Sequence, residues 1–193
     1  MKAKLLLALG LAFRDRLAKA TSAKRVGIGL PPGIGATVAN LACVLGGKVP
    51  VNLNFSLGAA ALESCVKRAD IDTLITTEKV KKRCPNLPKT PTELDIKDEL
   101  QALAKDKKAA IGLRLGIITL LPAGLAAAFF KVPRHGDREE AALIFTSGSS
   151  GEPKGVVLSH RNLLGNVTQI SDINLISPDQ ILLGNLPLFH SFG

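Results

Sequence analysis

Phe145 to His160 reads FTSGSSGEPKGVVLSH, a run of residue types suited to holding phosphate. Gly148 and Gly151 bracket two serines, so the backbone can turn tightly and present N–H groups to an anion. Thr146, Ser147, Ser149 and Ser150 add hydroxyl donors, and Lys154 adds a positive charge just ahead of Gly155. A short loop after a strand, dense in amide and hydroxyl donors, suits polyphosphate chemistry. It is not a Walker loop, in which Lys directly follows Gly and precedes Ser or Thr. Here Pro153 precedes Lys154 and Gly155 follows it. The alternative reading of the same residues is a flexible surface hairpin.

A second segment, NLPLFHSFG from Asn185 to Gly193, places Phe189 and His190 after an apolar stretch, where a lone histidine is often only a packed ring. His160 falls on the helix expected after the loop and reads as structural, and His135 sits in a charged hinge with no evident role. Cys43, Cys65 and Cys84 form no CxxC pair. A secreted disulfide scaffold and a structural zinc site therefore fit poorly, and no metal-ligand set is expected. Cys43 and Cys65 fall on expected helices and read as small buried hydrophobes.

These residues need a frame, and the chain supplies one in alternation. Leu5, Leu6, Leu9, Ala12, Phe13, Leu17 and Ala20 recur at three- and four-residue steps, predicting an amphipathic first helix. Arg14, Asp15 and Arg16 interrupt the apolar start and no clear cleavage site follows, so a signal peptide is disfavoured. Lys24–Leu30 reads as a buried strand, Ala36–Gly47 as a helix ending on glycine, and Lys48–Leu53 as a second strand. A helix over Gly58–Arg68 and a third strand over Asp72–Thr77 complete the pattern of a parallel sheet with crossovers. Gly33 and Gly35 lack the third glycine of a dinucleotide fingerprint. The basic run Lys79–Cys84 reads as a solvated linker face. Cys84–Lys108, proline-rich and then alternating in charge, reads as an exposed loop leading into a solvated helix. Leu115–Phe130, sixteen uncharged residues broken by Pro122 and Gly124, reads as a hairpin of packed helices. A membrane-surface segment is the minority reading, because the stretch is short for a span and cations flank it. Ala141–Thr146 is a clean strand leading into the phosphate-type loop.

The 193 residues are 46% hydrophobic, enough for a core, and by length amount to one domain or one and part of another. The net charge of +9 is dispersed and comes with no helix-turn-helix, zinc-finger or RNA-binding signature, so nucleic acid is not an expected partner. Seven Phe with no Tyr or Trp also argue against a base-stacking platform.

TSGSSGEPKGVVLSHRNLL resembles the phosphate-loop signature of adenylate-forming (AMP-binding) enzymes, the group of acyl-CoA synthetases, luciferases and peptide-synthetase adenylation domains. The resemblance implies that Thr146, Ser147, Gly148, Ser149, Ser150, Gly151, Lys154 and Gly155 hold the ATP β- and γ-phosphates, with Lys154 catalytic. NLPLFHSFG resembles the family's next motif, which implies that Phe189, His190 and Gly193 line the acyl and nucleotide pocket and that His190 takes part in catalysis. GIGLPPGIGATVANLACVLGGKVPVNLNFSLG, above all Lys48–Phe55, resembles the acyl–acyl-carrier-protein synthetase branch, often found joined to a 2-acylglycerophosphoethanolamine acyltransferase.

By that resemblance the fold is an incomplete α/β, parallel-sheet layered N-terminal subdomain. Residues 1–193 would be part of the large adenylation domain, with 84–140 a variable charged and apolar insert and 145–160 the phosphate-binding loop. The implied reaction is ATP- and Mg2+-dependent activation of a fatty acid, then transfer to the thiol of acyl carrier protein or CoA. The implied setting is cytoplasmic, with the inner membrane face as a further partner. The adenine loop, ribose aspartate, hinge and C-terminal lysine of the family are not in this sequence. The rival expectation is a truncated, non-catalytic fragment that binds nucleotide weakly.

Overall fold

The computed structural model describes residues 3–106, 108–134, 136–147, 152–173, 184 and 186–190. The first helix, α1 (Ala3–Ala20), precedes β1 (Arg25–Ile28), α2 (Ile34–Leu45), β2 (Val49–Asn52), α3 (Ala59–Arg68) and β3 (Thr73–Thr76). Then come α4 (Glu78–Arg83), β4 (Thr92–Asp95), α5 (Ile96–Asp106), α6 (Lys108–Leu120) and α7 (Ala123–Phe129). The strands β5 (Glu140–Ser147) and β6 (Pro153–Ser159) lead into α8 (His160–Asp172). The six strands lie in the order β4-β3-β1-β2-β5-β6, with every pair parallel except the last.

The short central strands are buried on both faces, which is why they read as near-continuous apolar runs rather than alternating ones. One face packs Phe13 and Leu17 of α1, Val38 and Ala42 of α2 and Leu103 of α5 over Ile28 and Ile75. The other packs Leu62 and Cys65 of α3 over Val51, Leu74 and Leu143. At Gly10 a Cβ would stand 2.9 Å from that of Leu41, so α1 can lie this close to α2 only without a side chain there.

Polar groups tie the amino ends of the strands together. Arg25 at the start of β1 grips Glu140 at the start of β5 with two parallel bonds of 2.9 and 3.0 Å. Lys48, just before β2, donates to the carbonyls of Thr21 and Ala23 at 3.0 and 2.6 Å. Asp72, just before β3, accepts from the hydroxyls of Thr21 and Thr73.

Two expected segments differ from their sequence reading. Lys79–Cys84 is largely the helix α4, with Val80 buried beneath it, rather than a linker face. Within Cys84–Lys108, Thr92–Asp95 pairs along all of Thr73–Thr76 as the edge strand β4. The helix that follows is half buried, because Ile96, Leu100 and Leu103 form one apolar stripe among the charges. The apolar stretch is a pair of helices broken at Pro122, as expected. Ile111 and Ala126 are buried, while Leu113, Leu120, Leu125 and Phe129 are exposed. No described helix is long and apolar enough to cross a membrane.

Cys43 and Cys65 are buried in α2 and α3, whereas Cys84 is partly exposed. Burial pushes the Cys43 thiol up to about 12 and that of Cys65 up to about 11, from an ordinary 9.0. Unfolding frees Cys43 to ionise near its ordinary value. Its share of stability is therefore full below about pH 9 and is lost as pH rises toward 12. At pH 8 a thiol reagent is expected to modify Cys84 alone in the folded chain and all three cysteines in urea, counted by peptide mass mapping. Rapid modification of folded Cys43 would contradict this packing.

Candidate functional site

The phosphate-type segment contributes to both strands of a β-hairpin. β5 runs parallel to β2, pairing Val51 with Leu143 and Asn52 with Ile144, and antiparallel to β6 on its other edge. In that hairpin Thr146 stands opposite Lys154 and Ser147 opposite Pro153, so two sequence-predicted residues face each other at the base of the loop. The Thr146 hydroxyl makes a long bond of 3.4 Å to the Lys154 carbonyl. The Lys154 side chain is exposed and joins no ion pair among the described residues. Gly148, Ser149, Ser150, Gly151 and Gly193 lie outside the described residues, as do His135, residues 174–183 and Asn185.

Several residues set this hairpin that the sequence reading passed over. Arg68, in the last turn of α3, donates to the Pro153 carbonyl at 2.6 Å, and the Ser64 hydroxyl donates to Glu152 at 3.3 Å. α3 thereby fixes where β6 begins. A proline is tolerated there because it opens an edge strand. Gly155 stands opposite Phe145, and a Cβ on it would come within 3.3 Å of the Phe145 ring and of Leu143. The glycine makes room for the ring.

Beyond the hairpin, Ser159 caps α8 by accepting from the Asn162 N–H at 3.2 Å, while the Asn162 side chain accepts from the Ser159 N–H at 2.9 Å. His160 opens this helix, and its N–H donates to the Glu139 carbonyl at 3.1 Å. Its backbone thus helps anchor α8 beside the start of β5, consistent with a structural reading.

The second motif forms a tight turn, closed by the His190 N–H donating to the Pro187 carbonyl at 2.9 Å. Phe189 meets Phe55 edge to face with ring centroids 5.3 Å apart, and Leu188 packs against the cluster containing α1 and α2. Phe55 follows β2 by three residues. The turn therefore sits at the carboxyl end of β2, as the Thr146–Lys154 pair sits at the carboxyl end of the neighbouring β5. Both motifs reach the same edge of the sheet, where ligands of open α/β sheets bind. The sequence signal for Phe55 was an aromatic just past a buried strand. At the root of this edge, Asn40 and Asn52 exchange amide hydrogen bonds of 3.1 and 2.9 Å, holding α2 to the end of β2. Among the described residues no group of three His, Cys, Asp or Glu could hold a metal ion.

The family model described as AMP-binding enzyme matches residues 4–193. The chain belongs to the AMP-binding enzyme family. Long-chain-fatty-acid–CoA ligase 5 of Rattus norvegicus is 32% identical over 165 residues, 80% of this chain and 24% of the rat protein. Medium-chain fatty-acid–CoA ligase of Escherichia coli K12 is 30% identical over 173 residues, 89% of this chain and 30% of its own. The chain thus spans less than a third of these relatives. ATP-bound MatB of Rhodopseudomonas palustris superposes with a TM-score of 0.66 at 24% identity, covering 97% of this chain and 35% of its own. A fatty acid AMP ligase of Legionella pneumophila gives 0.62 at 20% identity, covering 97% and 30%. The α/β, parallel-sheet fold expected from sequence is the fold of this family.

Arg68→Ala should leave the Pro153 carbonyl without its donor. The expected result is a loss of about 1 kcal/mol in urea unfolding, with amide exchange accelerated in Lys154–Val157. Exchange unchanged in that strand would show that Arg68 does not secure the hairpin.

Proposed function

We propose that this chain supplies the phosphate-holding and acyl-lining edge of an ATP-dependent acid–thiol ligase acting on fatty acids. The observation that carries this reading is the hairpin that sets Thr146 against Lys154 on either side of the Ser/Gly loop, at the carboxyl edge of a parallel sheet. The relatives' names, long-chain and medium-chain fatty-acid–CoA ligase, support a fatty acid as substrate and a thiol as acceptor.

In the first step a carboxylate oxygen attacks the ATP α-phosphorus, the bond to the bridging oxygen breaks, and pyrophosphate leaves with acyl-adenylate formed. In the second step a thiol attacks the acyl carbon, AMP leaves, and the thiol proton is released to solvent. The residues of this chain act by position and charge. Backbone N–H groups and hydroxyls of Thr146, Ser147, Gly148, Ser149, Ser150, Gly151 and Gly155 hold the β- and γ-phosphates, and Lys154 stabilises charge building on the departing pyrophosphate. Phe189, His190 and Gly193 line the acyl and nucleotide pocket, and His190 takes part in catalysis. Magnesium would arrive with the nucleotide as part of the substrate and offset the charge of its phosphates. CoA is the acceptor named for the relatives, and a carrier-protein thiol serves the same chemistry.

We assign residues 1–193 to part of a larger adenylation domain, with 84–140 as its variable insert and 145–160 as its phosphate loop. Leu163, Val167 and Ile170 form an apolar stripe along α8 that is left exposed. A stripe of this kind is a surface built to be covered. It favours the second reading, in which the 193 residues alone bind nucleotide weakly and do not turn over. Leu113, Leu120, Leu125 and Phe129 on α6 and α7, with Lys131 and Arg134 following, support contact with the inner, anionic face of a membrane.

Pyrophosphate exchange into ATP, dependent on a long-chain fatty acid, is the expected activity of a longer chain carrying this segment. Lys154→Ala in it should slow exchange by about 10²–10³-fold while the fatty-acid KM stays within a few-fold. Exchange in the longer chain but not in the 193 residues would support the second reading for the short form. Absence of exchange in both would sink the adenylation assignment.

A further inference from the structure

The paired helices α6 and α7 are apolar on two sides, and the protein covers one of them. Toward the sheet, Ile111, Leu115 and Ile118 of α6 join the cluster built from α1, α2 and α5. Away from it, Leu113 and Leu120 of α6 are 67% and 83% exposed, and Leu125 and Phe129 of α7 are 60% and 62% exposed. An added Cβ at Gly112, Gly116 or Gly124 would meet nothing within 4 Å, so no neighbouring element shields the helices there. A helix apolar on all sides is ordinarily enclosed.

Charge says what encloses this one. Between Asp106 and Asp137 the sequence holds five Lys or Arg and no Asp or Glu. Lys108, Lys131 and Arg134 are exposed and join no ion pair among the described residues. Arg114, in the middle of α6, is turned inward instead. It donates to Asp15 at 2.7 Å, and Asp15 also accepts from Arg14, which holds the Phe130 carbonyl at 2.7 Å. The cation that would be costly in hydrocarbon is therefore paired inside the protein. Those left over stand where the helix pair begins and ends.

We propose that α6 and α7 lie in the plane of an anionic lipid surface. Leu113, Leu120, Leu125 and Phe129 enter the acyl boundary, and Lys108, Lys131 and Arg134 stand among the headgroups. At thirteen and seven residues the helices are too short to span, so they lie flat. A second copy of the chain is the poorer occupant, because its own α6 and α7 bring no acid to meet those cations. This rests on the membrane contact proposed above, and gives that contact a surface, an orientation and a lipid charge. Neither nucleotide nor adenylation enters it.

The chain has no Trp or Tyr, so a single introduced indole reports its own surroundings. Leu120→Trp and Phe129→Trp should shift their emission to the blue with vesicles of equimolar phosphatidylcholine and phosphatidylglycerol, and brominated lipid should quench them. Leu164→Trp, exposed on α8, should do neither. Vesicles of phosphatidylcholine alone should bind the unaltered chain at least tenfold more weakly, and the triple change Lys108→Gln, Lys131→Gln, Arg134→Gln should remove that preference. The triple change Leu113→Ser, Leu125→Ser, Phe129→Ser should abolish flotation with either vesicle. Its circular dichroism should stay unchanged, since all three positions are exposed. Leu163→Ser with Val167→Ser on α8 should float as before. Flotation kept by the hairpin serine variant would overturn this surface while leaving a membrane contact elsewhere on the chain. No flotation of the unaltered chain would overturn both. Equal binding to the two vesicles would overturn the lipid charge. A blue shift of Leu120→Trp without lipid, growing with protein concentration, would give the face to a second copy. Pyrophosphate exchange in a longer chain is read separately, so none of these outcomes touches the adenylation reading.

Discussion

Strand β5 is held on both edges by backbone hydrogen bonds, parallel to β2 on one side and antiparallel to β6 on the other. Everything on the reactive edge depends on that double pairing. A strand in two ladders cannot shift register without breaking both, and a shift of one residue would turn its buried side chains to the wrong face. With Leu143 fixed against Val51, Thr146 must emerge at the level where β2 gives way to the loop carrying Phe55. The bidentate grip of Arg25 on Glu140 sets the far end of the same strand, and Arg68 holds the return strand at Pro153. The hairpin is thus placed by contacts on three different elements.

Much of this could be read in the residues themselves. The central strands are short apolar runs between helices, and local chemistry alone announces them. β4 could not be read this way, because Thr92-Glu93-Leu94-Asp95 has little preference for strand. It is extended because β3 offers an open edge, and its charges suit an edge position. The half-buried face of α5 was hidden by dilution, with Lys97, Asp98, Glu99 and Lys105 masking the spacing of Ile96, Leu100 and Leu103. At the site, the hydroxyls, glycines and Lys154 stand out by type. Arg68, Ser64 and Phe55 do not, since each matters only through a partner far along the chain.

The positive charge is organised rather than merely dispersed. Arg14 and Arg114 both bind Asp15, Arg16 binds Glu99, and Arg25 binds Glu140, so many arginines are spent on internal ties. Lys79, Arg83, Lys97 and Lys154 are not spent in this way, and they gather toward the carboxyl side of the sheet. These four cations stand on the rim where an anion would approach.

One further consequence follows from the ties among Arg25, Glu140, Lys48, Thr21 and Asp72, all at the amino ends of the strands. These ties stand on the rim opposite the groups available for chemistry. Inherited variation on the securing rim can raise or lower the melting point while the reactive rim keeps its shape. Changes of substrate preference can accumulate on the other rim without loosening the scaffold. Separating the two tasks in space gives a lineage room to alter what it binds without first losing the ability to fold.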